Sequence, residues 1–308
     1  MLWRSLRRVA LIALLLPAGA VVAFAESTVV DATGASVTVR DMGRIVSVGG
    51  AVTEVVFALG FADNVVAVDS TSQYPRAVAE KPDVGYMRRL SAEPILGLAP
   101  SVVLAVEDAG PETALNQLRE SGVPVVLVPD DPSYDGVLKK IELIAAALGV
   151  AERGRAVTSA LRADFSRLSD AVGGVGKRPK VLFLLSVGQG GAPLAGGRDT
   201  AADGIIRLAG GINAVDAFDS FKPLSPEAAV LAAPDVLLVT NRTLDLLGGK
   251  AGLLGLPEIS LTPAARQGRV VAIDGLLLLG FGPRTGQAVR TLAAQLHPNL
   301  VLPTARSE

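Results

Sequence analysis

Leu90-Ser91-Ala92-Glu93, followed by Leu98-Ala99-Pro100-Ser101-Val102-Val103-Leu104, decides the fold, because the chain states it twice. In the second half, Leu224-Ser225-Pro226-Glu227 is followed by Ala232-Ala233-Pro234-Asp235-Val236-Leu237-Leu238. Positions 93 and 227, 100 and 234, and 104 and 238 are each 134 residues apart. A Ser-x-Glu helix start, an Ala-Pro break and an apolar strand in one register point to two related lobes, by the logic of internal repeats. A cleft between two lobes is where ligands usually sit.

Outward from the first copy, short apolar runs alternate with helical patterns. Arg44 to Val48 reads as a strand ending at Gly49-Gly50, and Thr53 to Leu59 as a helix stopped by Gly60. Val65–Val68, Ser101–Val106 and Val123–Val128 read as strands, with helices at Ala92–Leu98 and Pro111–Ser121. Strands alternating with helices argue for parallel α/β layers. Val137, Leu138, Ile141, Ile144, Ala145 and Leu148 then fall at helical spacing, and a second helical pattern runs from Glu152 to about Val172. The alternation restarts at Lys180–Leu185. The expected fold is therefore α/β: two Rossmann-like lobes joined by a long, stiff bridging helix, with a ligand cleft between them. The expected boundaries are 1–25 for a signal peptide, 26–132 for the first lobe, 133–176 for the bridge and 177–308 for the second lobe.

The first residues bear on the compartment. Arg4, Arg7 and Arg8 form a basic head, Val9 to Leu16 an apolar run broken by Pro17, and Ala23-Phe24-Ala25 a small-x-small site before Glu26. That is the three-part pattern of a cleaved secretory signal. The apolar run is too short for a membrane span. There is no cysteine, which excludes disulfides, zinc-thiolate sites and a Cys nucleophile. It also excludes a lipid-modified cysteine, so the expectation is a soluble, monomeric periplasmic protein without a lipid anchor. Of 29 basic and 30 acidic residues, three arginines leave with the signal, giving a net charge of about −4. A nucleic-acid binder would need a basic face, and none is expected. Gly188-x-Gly190-Gly191 and Gly196-Gly197 lack the spacing of a phosphate loop and read as flexible or close-approach loops at the cleft. With no Gly-x-Ser-x-Gly and no central histidine, an enzyme is not expected. The acid pairs Glu107-Asp108 and Asp130-Asp131 read as loop charges.

The chain has three tyrosines and one histidine. Lys81-Pro82-Asp83-Val84-Gly85-Tyr86-Met87-Arg88-Arg89 puts one tyrosine behind a glycine and two arginines beyond it, in a segment that Pro82 and Gly85 mark as loop. At the register of the repeat, Tyr86 falls opposite Ser220, at equivalent edges of the two lobes. A free phenol is a poor ligand at neutral pH, with a pKa of about 10. Bound Fe(III) favours the phenolate, and a nearby guanidinium adds to this. Tyrosinate is an axial ligand type for haem iron. Arg88 is placed to stabilise the phenolate or to pair with a propionate. On spacing alone, a surface tyrosine beside a solvated arginine is the simpler reading.

Arg44 to Gly60, and above all Asp83 to Arg88 running into Leu90-Ser91-Ala92-Glu93, resemble the periplasmic haem-binding proteins of bacterial haem ABC importers. Asp69-Ser70-Thr71-Ser72, Thr200-Ala201-Ala202-Asp203 and Leu279-Gly280-Phe281-Gly282-Pro283-Arg284 share the likeness, in order, over nearly the whole mature chain. The resemblance implies a class III, helical-backbone binding protein that captures haem b as its transported ligand. It implies Tyr86 as the axial metal ligand, Arg88 beside it, and Arg242 as the best match to a second-lobe arginine near the ligand. It also implies that Glu93 and Glu227 dock on arginines of a dimeric permease, with an outer-membrane haem receptor upstream. Helix N-termini favour acids for their dipole alone, so both roles stay open for Glu93 and Glu227. Some relatives offer a second-lobe histidine to the other haem face. The lone His297 lies before Pro298 near a terminal helix end and reads as a surface or capping residue, so a single tyrosinate ligand is expected. A carrier of the same fold for a ferric siderophore or a corrinoid is the alternative.

Overall fold

A computed structural model describes residues 26–187 and 193–304. The chain opens with an antiparallel hairpin, β1 (Ser27–Val30) and β2 (Ser36–Val39). The first lobe then runs β3 (Ile45–Val48), α1 (Gly50–Ala58), β4 (Val65–Val68), α2 (Ala92–Gly97), β5 (Val102–Val106), α3 (Glu112–Glu120) and β6 (Val125–Val128). Its four strands form one parallel sheet in the order β4-β3-β5-β6. β3, β5 and β6 are buried along their whole length, as their near-continuous valine and leucine runs require of a sheet covered on both faces.

Two helices follow, α4 (Tyr134–Ala147) and α5 (Ala151–Gly173). At 23 residues, α5 is about 34 Å long. The second lobe comprises β7 (Lys180–Val187), β8 (Pro193–Gly196), α6 (Ala201–Leu208), β9 (Ile212–Asn213), β10 (Phe221–Pro223), α7 (Pro226–Ala232), β11 (Val236–Thr240), α8 (Asn241–Leu246), α9 (Lys250–Leu254), α10 (Pro263–Arg266), β12 (Val270–Ile273), α11 (Gly275–Leu279) and α12 (Thr285–Leu296). Its sheet has the order β10-β8-β7-β11-β12, with β9 beside the start of β7. β8 runs against both of its neighbours, so the layer is not purely parallel as the alternation suggests. Its Pro-Leu-Ala-Gly sequence lacks a strand's usual β-branched residues.

The repeated motif holds at the level of the backbone. Ala99 and Ala233, each before the repeated proline, are left-handed at φ 46° and 47°. A left-handed residue ends a helix cleanly, so α2 and α7 both stop there and release the chain into β5 and β11. Ser225 caps α7 by accepting the Ala228 N–H, whereas Ser91 makes no such bond on α2.

One apolar core runs through the bridge. Residues of β3, β5 and β6 share it with Ile141 and Ile144 of α4, Leu161, Phe165 and Leu168 of α5, and Val289 and Leu292 of α12. It continues onto one face of the second sheet through Val181 and Phe183, while the alternate residues Leu182 and Leu184 enter a separate core on the other face. The bridging helix α5 thus packs on α4 and α12 and shares one connected core with both lobes. Such close packing resists small displacements.

Candidate functional site

In a parallel sheet every strand ends at the same edge, and ligands of open α/β sheets bind outside those carboxyl ends. Three loops converge there in the first lobe. Gly49 follows β3, Asp69-Ser70-Thr71-Ser72 follows β4, and Glu107-Asp108 follows β5. The buried Asp69 carboxylate ties two of them. Its Oδ1 accepts from the Gly49 N–H at 2.8 Å and the Ser72 hydroxyl at 2.7 Å, and its Oδ2 from the Thr71 N–H at 3.0 Å and hydroxyl at 2.6 Å. Ser72 Oγ lies 2.7 Å from Thr53 Oγ1, which lies 2.7 Å from Ser47 Oγ. A satisfied buried polar network of this kind fixes loop positions.

The Tyr86 segment is laid onto this edge by backbone hydrogen bonds. Val68 donates to Pro82 O at 2.9 Å, Val84 to Val68 O at 2.9 Å, and Ser70 to Gly85 O at 3.0 Å. Gly85 has φ +92°, and no atom lies within 4 Å of a Cβ placed on it. A left-handed turn and not a lack of room therefore calls for glycine. Past Tyr86 the chain turns, with Arg89 donating to Tyr86 O at 2.7 Å. It then pairs with the loop after β5, where Gly110 donates to Met87 O and Leu90 to Gly110 O, each at 2.8 Å.

Tyr86 is 37% exposed. Its phenol oxygen accepts from Arg88 Nη1 at 3.1 Å, and Arg88 Nη2 is ion-paired with Asp108 Oδ2. Asp108's hydrogen bond is the main reason that the Arg88 guanidinium holds its proton still more firmly than usual. The Arg88–phenol contact fits the first of the two roles that the sequence left open for Arg88. Asp108 is not a mere loop charge: its partner lies 20 residues away, and only the pairing of the two loops reveals it. Glu107 and Asp130 are likewise engaged. Glu107 Oε1 accepts the Asp130 N–H, and Asp130 pairs at 2.8 Å with the fully buried Lys140.

The second lobe presents its own strand ends to this edge. Arg284, which precedes α12, forms a two-armed ion pair with Glu54 of α1 at 2.5 and 2.9 Å, and stacks 3.6 Å from the Tyr74 ring centroid. Lys140 Nζ reaches Gly280 O at 3.4 Å. A Cβ on Gly50 would lie 2.5 Å from Leu276 Cδ1. Glycine at the start of α1 thus admits the other lobe, and the helix begins three residues before the expected Thr53. Burial pushes the Glu54 carboxyl above its ordinary value, and Arg284 offsets only part of that.

Arg242 occupies the first turn of α8, at the carboxyl end of β11, exposed and without a side-chain partner among the described residues. Among the described residues no hydrogen bond or ion pair links it to Tyr86. Glu93 and Glu227 are exposed in the first turns of α2 and α7. The Glu227 carboxyl is held below its ordinary range first by its own backbone N–H and then by Ser225. Beside it lies an open groove of about 530 Å³ lined by Pro226, Glu227, Val230, Leu231 and Leu261, with Leu231 86% exposed. Asp83, three residues before Tyr86, bridges Val68, and Asp219, just before Ser220, bridges Arg198. Gly196 and Gly197 do mark a close approach, since a Cβ on Gly197 would lie 2.2 Å from Phe218 O. The loop at 188–192 and the segment 1–25 lie outside the described residues.

His297 stands at the end of α12 as expected, as its C-cap residue, but it is half-buried and not on the surface, with Nε2 turned inward against Gly210 and without a partner among the described residues. Gly210 adjoins β9, which pairs with the first residues of β7. The imidazole therefore sits at the opposite edge of its sheet from the strand ends that carry Arg242 and Arg284. Among the described residues no three His, Cys, Asp or Glu side chains cluster to hold a metal ion, and no helix is long and apolar enough to cross a membrane.

The family model described as periplasmic binding protein matches residues 45–276. The chain belongs to the periplasmic binding protein family. This family member is similar to the solved apo structure of the periplasmic heme-binding protein RhuT from Roseiflexus sp. RS-1, with 44% identity, a TM-score of 0.80, and coverage of 83% of this chain and 98% of that one. The periplasmic heme-binding protein BhuT, solved with two hemes, is 42% identical at a TM-score of 0.78, covering 82% and 98%. Among curated relatives, the ABC transporter substrate-binding lipoprotein YvrC of Bacillus subtilis is 28% identical over 279 residues, covering 88% of this chain and 86% of its own length. A vitamin B12-binding protein of Yersinia pestis is 26% identical over 201 residues, covering 64% and 69%. The two-lobed α/β binding-protein architecture is thus that of the family, whose members bind substrates for transport and are not enzymes.

Proposed function

We propose that this periplasmic binding protein captures haem between its lobes through Tyr86 and delivers it to the permease of an ABC importer. The observation that carries the reading is the Tyr86 oxygen. It belongs to a residue that is 37% exposed, accepts a hydrogen bond from a guanidinium, and gives none among the described residues. An oxygen whose negative charge is stabilised from one side and open on another fits a hard ferric ion. The likeness to RhuT and BhuT supports haem b as the cargo. Arg242, at a strand end and without a side-chain partner among the described residues, is the second-lobe cation we assign to the haem's periphery, a role that suits its bidentate donors. The lobes are taken as 26–132 and 177–308, with 133–176 between them. Export through residues 1–25 and release without a lipid anchor fit a chain that has no cysteine, although the similar YvrC is a lipoprotein.

Glu93 and Glu227 are the docking acids of this scheme. The collar of Val230, Leu231 and Leu261 around Glu227 has only the half-buried Leu96 and Gly97 as its match beside Glu93, so the second lobe offers the more apolar foothold.

Titration of purified protein with ferric haem tests the reading. A tyrosinate-type spectrum that is lost in Tyr86→Ala supports it, and an unchanged spectrum in that variant ends the ligand assignment. The titration endpoint separates one haem per chain, as a single tyrosine loop suggests, from two. The vitamin B12-binding relatives favour a corrinoid as the second reading, and tight cobalamin binding without haem uptake would establish it.

A further inference from the structure

We propose that Asp108 is a positioning residue for the Tyr86 oxygen, acting through Arg88; this rests on the reading of Tyr86 as the ligand. Arginine carries a long stem with many rotamers, and Arg88 is half-exposed, with 53% of its side chain open to water. Left to itself it would sample many positions. Asp108 removes that freedom. The backbone bonds Gly110 N to Met87 O and Leu90 N to Gly110 O fix the loop after β5 against the Tyr86 loop. With the two loops in register, the Asp108 carboxylate meets Nη2 and leaves Nη1 of the same planar group on the phenol oxygen. The planarity of the guanidinium converts one ion pair into the aim of a second hydrogen bond.

The consequence falls on the donor strength of the oxygen. A hydrogen bond into a phenolate withdraws electron density that would otherwise go to the metal. Groups one shell out tune bound metals in this way, and their loss changes affinity or potential measurably. Without Asp108 the guanidinium swings away, the phenolate donates more strongly, and the ferric state is favoured. The same outcome is expected when Arg88 itself is removed.

Four proteins test this: wild type, Asp108→Ala, Arg88→Ala and the double variant, each loaded with ferric haem. Asp108→Ala is expected to move the phenolate-to-iron charge-transfer bands and to lower the ferric/ferrous midpoint potential, in the same direction as Arg88→Ala. The double variant should match Arg88→Ala alone, since non-additivity marks residues acting in one chain. Thermal unfolding of the apo variants should stay at the wild-type midpoint. Unchanged bands and potential in Asp108→Ala would overturn the proposal, as would a shift that persists when Arg88 is already absent. A Tyr86→Ala protein with the wild-type spectrum would instead remove the ligand reading beneath it, so the two failures are told apart.

Discussion

The molecule assembles a tyrosine, an arginine and a carboxylate twice, at the Tyr86 loop and at the contact between the lobes. Tyr86–Arg88–Asp108 lies in the first lobe's loops, with its arginine aimed at a phenol oxygen and its ion pair largely in water. Tyr74–Arg284–Glu54 spans the lobes, with its arginine flat on a ring face and its carboxylate 5% exposed. In the first, the oxygen is held ready while the charges cost little to solvate. In the second, the ring serves as a surface for a weakly hydrated cation, and the ion pair locks a joint. Composition does not distinguish a ligand site from a strut. Burial and the face of the tyrosine that meets the arginine do.

The sharpest way to break the comparison is to exchange the consequences. Tyr86→Ala should cost at least ~100-fold in haem affinity, beyond the 10–100-fold typical of second-shell losses, with the unfolding midpoint unmoved; isothermal titration and calorimetry read the two. Glu54→Ala should do the reverse. Removing one partner of a buried pair costs about 3 kcal/mol or more. In a chain of this size that is a fall of roughly 6–12 °C in Tm, while the charge-transfer spectrum keeps its shape. A haem spectrum altered by Glu54→Ala, or a Tm lowered by Tyr86→Ala, would dissolve the distinction.

A smaller effect sharpens it. Burial, the largest influence, raises the Glu54 carboxyl above its ordinary 4.5, and the hydrogen bond and charge of Arg284 only partly restore it. The folded protein then keeps that proton to higher pH than the unfolded chain does. Stability held by the protonated form falls as pH climbs from 4.5 through the raised value. Denaturant unfolding across that range should show the decline, and Glu54→Gln should flatten it. Smallest of all on the protein itself is Leu231→Asp. An exposed position should move stability within about 0.5 kcal/mol and leave haem binding intact, yet slow haem delivery to permease in proteoliposomes.

What could be read from the chain followed from local physics. Val65–Val68 was legible to the residue, because a valine run bracketed by polar and loop residues is a buried strand with little competition. The paired Ala-Pro stops of α2 and α7 were legible because the repeat carried them. The start of α1 was not: Gly49-Gly50 looks like loop until Leu276 is seen to press on Gly50 from the other lobe. β8 was hidden by its Pro-Leu-Ala-Gly composition. Tyr86 stood out by scarcity, but Asp108 and the Glu54–Arg284 pair could not, since their partners are 20 and 230 residues away. Contacts of that span are products of topology, and no local pattern encodes them.

The turn at Gly85 has a consequence that concerns chirality. Nothing crowds the position, yet its backbone is left-handed. An L-alanine there would meet open space and still strain the loop by about 1–2 kcal/mol, tilting the tyrosine that follows. Its mirror image would not. A D-alanine placed at 85 by semisynthesis adopts that φ without penalty and has fewer unfolded conformations to lose than glycine. The enantiomers at one residue would separate the handedness of the turn from its size, with the haem spectrum as the reporter.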